Sequence, residues 1–469
     1  MRQARLRDLL AAEHRPLATG LLLTITFVAA ESLAVLTVMP LVARDLGGLG
    51  LYGWAFSAFT LSSVIGIVAA GRTADRRGPA VPFIAGLVLF EAGLAIAGLA
   101  VSMPMLVAGR ALQGLGAGVV PAVAYAAIGA SLPANLRPRM IALISTAWVV
   151  PGLAGPAISA AVARAFGWRW VFLGLIPVVA IAGATAVPAL MRIGRPDPTA
   201  PAAESEHSLG DAIRTAVGVG LVLAGLTVGF GIRRVGIAIA LLAAGLALAL
   251  PALRRLVPAG TLTARRGLPA AVLSRLLLTF TFFGADSFVT LSITAVRHYS
   301  PLVAGLAVTG ATVAWTAGAW TQARLSDTWE ARQLIRTGLI VIVVGIAGVT
   351  AMLQPDVPVA VGIAAWTIAG AGMGLANSPI LLLVLQHAPA GRVGKASASV
   401  NLADVLGTST GIGVGGAAIA AHAAGDLQLG LRTAFAIAVA VGLLALLTSL
   451  RLPGGRASAG RPAGDSGSD

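Results

Sequence analysis

Six charged residues interrupt long apolar runs: Glu31, Glu91, Arg110, Arg275, Asp286 and Asp404. If those runs cross lipid, a charge within one is costly and seldom kept without use. At 1.5 Å per residue, Glu31 lies about ten residues, roughly 15 Å, from the outer end of its run, close to the midplane. Asp286 sits at the same depth in its own run. Asp404 lies about nine residues from the inner end of its run, again near the midplane, and Glu91 is central in its run. Arg110 falls about 10 Å below the outer surface, on a stem that can reach Glu31 or Glu91. Arg275 lies near the inner end of its run and is expected to snorkel to the interface. Desolvation favours the neutral form of a carboxyl, and a nearby cation favours the charged form. Opening such a site to one side or the other changes both, which is enough to load a proton on one face and release it on the other. Glu31 is expected to be the principal proton carrier, tuned by Arg110. Asp286 or Asp404 would be a second protonation site or would meet a cationic substrate.

These residues need helices to hold them at depth. Of 469 residues, 57% are hydrophobic and 11% charged, and the mean hydropathy is +0.90. Soluble domains run near 45–50% apolar and 25% charged, so an ordinary cytosolic enzyme, a disordered chain and a fibrous one are excluded. Apolar runs of about 18–25 residues without two-residue alternation must span as helices, which satisfy their own backbone groups in lipid. The fold class is all-α and polytopic. There is no cysteine, hence no disulfide or thiol chemistry. The net charge of +15 does not imply a nucleic-acid partner, because the arginines lie in short loops rather than on one face. Lys395 is the only lysine, and this bias, with the abundant Ala and Gly, suggests GC-rich bacterial coding. Met1 to Arg15 is polar and basic, and no cleavable signal is read there.

About fourteen spans follow, near residues 17–41, 54–71, 80–101, 104–131, 139–163, 168–191, 214–231, 235–253, 268–296, 301–323, 334–353, 357–387, 396–422 and 430–450. An even number puts both termini on one side. With the termini inside, about 24 of the 33 Lys+Arg are internal, among them Arg72, Arg76, Arg77, Arg254 and Arg255. Both termini are therefore expected in the cytoplasm, with the chain in the bacterial inner membrane. Arg233 and Arg234 dissent, which makes the seventh and eighth spans the weakest part of the count. The expected organisation is a cytoplasmic N-terminus at 1–16, a six-helix bundle at 17–191, a linker at 192–213, two inserted helices at 214–256, a second six-helix bundle at 257–451 and a disordered cytoplasmic tail at 452–469.

The two bundles read as an internal repeat. Residues 26–33 (TFVAAESL) resemble residues 281–288 (TFFGADSF), which places Glu31 opposite Asp286. Arg72 and Asp75 match Arg324 and Asp327. Gly114, Gly116 and Gly118 match Gly370, Gly372 and Gly374, and Pro133-Ala134 matches Pro389-Ala390. Parallel repeats with a site between them near the midplane belong to alternating-access transporters.

Several motifs sharpen this. Residues 71–78 (GRTADRRG) carry Gly71, Asp75, Arg76 and Gly78 between the second and third spans. Glycine permits close helix approach, and a carboxylate there can bond a facing helix N-terminus and favour one conformation. Residues 106–114 (LVAGRALQG) centre on Arg110 and Gly114, and residues 151–156 (PGLAGP) contain Pro151, Gly152, Gly155 and Pro156. The latter suit a tightly packed helix that bends. Together these resemble the signature loop, the fourth-span motif and the antiporter motif of the major facilitator superfamily. Ser159-Ala160 stands where the antiporter motif usually has Gly-Gly. Glu31 with Pro40, and residues 167–172 (GWRWVF) with Pro177, resemble the 14-span drug:proton antiporters of that superfamily. Glu31 replaces the usual Asp there, and Leu36 and Leu175 replace usual Asn. The resemblance implies two six-helix bundles plus two inserted helices, proton-coupled export of amphipathic small molecules by alternating access, and conformational control by the 71–78 loop.

Alternatives are export of a lipid or of one dedicated metabolite, and proton-coupled nutrient uptake. A membrane enzyme would need a polar catalytic cluster at a membrane edge, and none is visible. No P-loop and no metal-ligand spacing occurs, so no cofactor or metal is expected. The expected partners are the substrate, protons and the lipid bilayer, with the chain a monomer. His387 and His422 read as interface residues, Asn377, Gln113 and Trp315 as cavity-lining or packing residues, and GWRW as an interfacial anchor.

Overall fold

A computed structural model of the chain describes residues 15–133, 136–193, 209–229, 234–326, 328–387, 393–423 and 425–453. The N-terminus before residue 15, residues 194–208 of the linker and the tail from 454 lie outside these residues, as do Arg233, Asp327, Pro389 and Ala390. Among the described residues there are helices and no strands. The first half contains α1 (Arg15–Leu46), α2 (Tyr52–Arg77), α3 (Ala80–Gly98), α4 (Met103–Ser131), α5 (Arg137–Thr146), α6 (Val149–Phe166), α7 (Arg169–Leu173) and α8 (Leu175–Arg192). A hairpin of α9 (Leu209–Val228) and α10 (Val235–Leu256) follows. The second half contains α11 (Leu268–Leu291), α12 (Pro301–Leu325), α13 (Ala331–Ala351), α14 (Val359–Gln386), α15 (Val393–His422) and α16 (Leu427–Ser449). Among the described residues, fourteen helices are long and apolar enough to cross a membrane, the α9–α10 hairpin among them. The side on which α1 begins and α16 ends is the terminus side below; the other is the distal side.

The fifth span is not one helix. Thr146 ends α5 and Val149 begins α6, with a two-residue turn between. Pro151 is the cause: it has no N–H for the carbonyl of Ala147, and its ring clashes with that carbonyl, so the ladder stops and restarts. The restart is the hydrogen bond from Gly152 N to Trp148 O, 3.0 Å. The ninth span, by contrast, runs beyond α11 through a π-helical turn, Ser292–Val296.

Glycines set the packing, and they do so identically in both halves. A Cβ on Gly114 or Gly118 would overlap the backbone of α2 at Phe59 or Ser63, whereas one on Gly116 would meet Gly86 of α3. In the second half Gly370 and Gly374 meet Ala311 and Trp315 of α12, and Gly372 meets Gly338 of α13. With little apolar driving force between helices in lipid, close backbone approach at small residues supplies the packing. The repeat read from sequence is thus a repeat of helix contacts.

The halves meet on the distal side. Gly53 of α2 packs on Gly416 of α15, their Cα atoms so close that a Cβ on Gly53 would lie 2.7 Å from the other chain segment. Ser57 Oγ donates to Ser409 O at 3.1 Å, and Thr290 Oγ1 donates to Leu36 O at 2.9 Å. On the terminus side the same two helices part. A gap of about 230 Å³ separates Val64, Ile67 and Gly71 of α2 from Asn401 and Leu402 of α15, with Ala212 and Leu256 of the hairpin at its edge.

Candidate functional site

Glu31 and Arg110 meet. Arg110 projects from α4 onto α1 and donates through Nη1 to Glu31 Oε1, in a pair with side chains 0% and 2% exposed. Gln113, one turn further along α4, accepts from Arg110 Nη1 at 3.0 Å and donates to Glu31 Oε1 at 3.2 Å. Arg110 Nε donates to Ala55 O at 3.0 Å, and its guanidinium lies 4.2 Å from the Phe59 ring centroid. Three helices therefore hold one ion pair. Glu31 Oε2 has no hydrogen-bond partner among the described residues. A buried charge pair of this kind persists only because further hydrogen bonds satisfy it. Gln113, expected as a cavity or packing residue, belongs to this cluster.

Asp286 has a different setting. It lines a central cavity of about 680 Å³ that neither Glu31 nor Arg110 reaches. Its hydrogen-bond partner is the indole of Trp366 on α14, Nε1 to Oδ1 at 2.9 Å. No cation pairs with it among the described residues. Phe282 stacks on Trp366 at 5.0 Å and stands edge-on to Trp315 at 5.5 Å, with Phe283 beside it. These rings form an aromatic wall next to the carboxyl. Trp366 was not among the residues singled out from sequence. The repeat would have named it, since the displacement that carries Gly114 to Gly370 carries Arg110 to Trp366.

Asp404 lines the same cavity and is not alone. Arg275 Nη2 lies 2.9 Å from Asp404 Oδ1, and Arg275 Nη1 donates to the main-chain and side-chain oxygens of Asn377. The expectation that Arg275 snorkels to the interface is corrected here. Its side chain is 13% exposed, because a carboxylate and an amide on α15 and α14 offer it partners inside the cavity. Of the two readings left open for Asn377 and Trp315, cavity lining or packing, the structure shows both residues lining that cavity.

Glu91 stays apart. It lies on α3 at the edge of a face on which Ile84 and Val88 are exposed, and it makes no ion pair among the described residues. Arg110 turns to Glu31 instead, so the reach from Arg110 to Glu91 is not used.

The motif residues divide by side. Gly71 has open space where a Cβ would stand, and Asp75, Arg76 and Arg77 are exposed at the terminus-side end of α2. Gly78 closes α2 at φ 80°, a conformation that favours glycine, with its N–H on Ala74 O. Pro151, Gly152 and Pro156 are buried. Gly152 packs on Thr312, and Pro156 contacts Gly305, where an added Cβ would lie 3.1 Å away. Gly155 faces α1, with Leu33 Cβ 3.9 Å from an added Cβ. His387 and His422 each contact a main-chain carbonyl one turn earlier, at 2.9 Å. Trp168 of the GWRW segment donates to Asp45 at 2.8 Å, and Arg169 lies over its ring, which ties the start of α7 to the distal end of α1. No group of three or more potential metal ligands occurs among the described residues.

Comparisons with known proteins bear on the family and the fold. Two protein chains from Mycobacterium tuberculosis strains, each named a probable multidrug-efflux transporter, are 26% identical over 94% of this chain and 95% of their own. A Bacillus subtilis multidrug transporter is 32% identical over 35% of this chain and 31% of its own. Among solved structures, a peptide transporter superposes with a TM-score of 0.65 at 16% identity, over 92% of this chain and 94% of that one. The xylose transporter of E. coli superposes with a TM-score of 0.57 at 17% identity, over 92% and 96%. The profile of the Major Facilitator Superfamily matches residues 20–412 and again 271–467, and the chain belongs to that superfamily of multi-pass membrane transporters.

Proposed function

We propose that this chain is a proton-coupled antiporter that exports amphipathic small molecules bearing a cationic centre, by alternating access. The observation that carries the proposal is the division between its two midplane acids. Glu31 is sealed, ion-paired and away from the cavity, whereas Asp286 opens on the cavity with an indole partner and, among the described residues, no cation. A carboxyl without a counter-ion beside aromatic rings suits a lipophilic cation, through charge and through the ring faces. A carboxyl that shares a cation suits a proton carrier, because breaking or making the pair changes the cost of ionising it. The relatives named as probable multidrug-efflux transporters support export as the direction. The terminus side is then the cytoplasmic side of a bacterial inner membrane, as the arginine bias argues. The conformation with distal contacts made and the terminus side parted is the inward-facing one. The chain works as a monomer in this scheme, with Asp404 near the mouth of the cavity. Glu91, outside both clusters, has no part in coupling.

The test is proton flux in proteoliposomes with an acid lumen, followed by a pH dye. Lipophilic cations, neutral drugs and lipids are added to wild type, Glu31→Gln and Asp286→Asn. Wild type should release protons on adding lipophilic cations. Glu31→Gln should still bind them but show no flux, and Asp286→Asn should lose binding. Flux that survives in Glu31→Gln removes Glu31 as the carrier. A response to lipids but not to cations favours lipid export instead.

A further inference from the structure

Among the residues that line the central cavity, three carry a formal charge: Asp286, Arg275 and Asp404. Two lie on one face of α11. Arg275 and Asp286 are eleven residues apart, about three turns and roughly 16 Å along the axis, with Phe282 between them on the same face. Arg275 is not free to swing away. Asp404 and both oxygens of Asn377 hold it.

We propose that the Arg275–Asp404 pair limits the substrates of this cavity to one positive charge. The proposal rests on Asp286 as the site of the substrate's cation. With Asp286 ionised, the cavity carries one uncompensated negative charge, and it lies at the Asp286 end. Near the mouth Asp404 is already neutralised by a fixed guanidinium. A long dication that seats one charge on Asp286 brings its other charge to Arg275, with no free carboxylate to receive it. A monocation with a neutral tail meets no such repulsion. Two charges of like sign a few ångströms apart in a partly desolvated site are strongly disfavoured. The pair therefore sets charge selectivity, and Arg275 is a specificity-determining residue at a distance from the cation site itself.

The test is quenching of intrinsic tryptophan fluorescence in the purified full-length chain, since Trp315 lines the cavity and Trp366 bonds Asp286. Tetraphenylphosphonium serves as the monocation. Dequalinium, two quinolinium rings on a ten-carbon chain, serves as the dication. Arg275→Gln should shift the ratio of the two dissociation constants toward the dication by about tenfold. Arg275→Lys, which keeps the charge, should hold the wild-type ratio. The double variant Arg275→Gln/Asp404→Asn should return to it. Should Arg275→Gln not fold, Asp404→Asn alone gives an independent measure: with Arg275 unpaired, tetraphenylphosphonium binding should weaken by about tenfold. A ratio unchanged in Arg275→Gln, or a double variant that keeps the dication preference, overturns the proposal. Asp286→Asn separates it from its premise. If that variant binds tetraphenylphosphonium as wild type does while Arg275→Gln still shifts the ratio, the cation lies elsewhere in the cavity and the charge limit stands.

Discussion

Trp366 stands to Asp286 as Arg110 stands to Glu31. Each comes from the fourth helix of its half and reaches the acid on the first. Trp366 Nε1 donates to Asp286 at 2.9 Å, and Arg110 Nη1 donates to Glu31. The glycine contacts that register α4 on α2 and α3 recur where α14 packs on α12 and α13, so the two donors occupy equivalent places. One half thus pairs its acid with a cation and closes over it. The other gives its acid a neutral donor and leaves it facing a cavity.

The difference can be reversed. Trp366→Arg puts a cation beside Asp286 and should neutralise the one uncompensated charge that the described residues place in the cavity. Binding of a lipophilic cation should weaken by about tenfold or more, as expected for a charge-assisted pair replacing a neutral bond. Trp366→Phe removes the N–H but keeps a ring beside Phe282, and should weaken binding less. Fluorescence-independent equilibrium dialysis with a radiolabelled cation measures both. Equal affinity in Trp366→Arg and wild type would remove Asp286 from substrate binding.

Glu31 and Arg110 make a different prediction, about stability. Removing one partner of a buried ion pair leaves an uncompensated charge and costs about 3–5 kcal/mol, while removing both costs much less. Arg110→Gln should therefore lower the melting temperature in detergent more than Glu31→Gln/Arg110→Gln does. The double variant should recover most of the loss. If the two variants melt together, the pair is not held as a charged unit.

Much of this site was legible in the chain, and the missing parts have specific causes. Glu31 and Arg110 could be joined because depth along each run and side-chain reach can be counted. The glycine triplets and the 71–78 loop are local patterns and read directly. The Arg275–Asp404 pair could not be read, because depth counted run by run says nothing about which faces of α11 and α15 turn to each other. Trp366 was hidden for another reason: an indole in an apolar run carries no mark of polarity, although the repeat points to it. The break at Ala147 was missed because an apolar window averages over Pro151, whose effect falls one turn earlier.

That break supplies a further prediction. Pro151→Ala restores an N–H opposite the Ala147 carbonyl and removes the ring clash. The fifth span should straighten, and hydrogen exchange at residues 147–150 should slow by about tenfold, consistent with about 1 kcal/mol or more for a regained helical bond. Trp148 lines the cavity at the turn, so straightening also moves it. Transport should fall even though the variant is the more stable protein. Unchanged exchange rates would mean that tertiary contacts, not Pro151, hold the turn.

Gly71 and Gly114 separate stability from movement. A Cβ at Gly114 would run into the Phe59 carbonyl and Ser62 of α2, whereas one at Gly71 meets nothing within 4 Å. Overpacking a helix contact costs about 1–3 kcal/mol. Gly114→Ala should therefore melt earlier than wild type, and Gly71→Ala should melt with it. Yet Gly71 borders the gap between α2 and α15, which must close if the halves rock. A methyl group there burdens only the closed form. Gly71→Val, with its larger branch, should keep wild-type melting while substrate-driven flux falls by about tenfold. Spin labels on the terminus-side ends of α2 and α15 should then report a population that stays parted under conditions where wild type closes. A Gly71→Val variant with normal flux and normal closure would show that α2 and α15 do not meet at this glycine during the cycle.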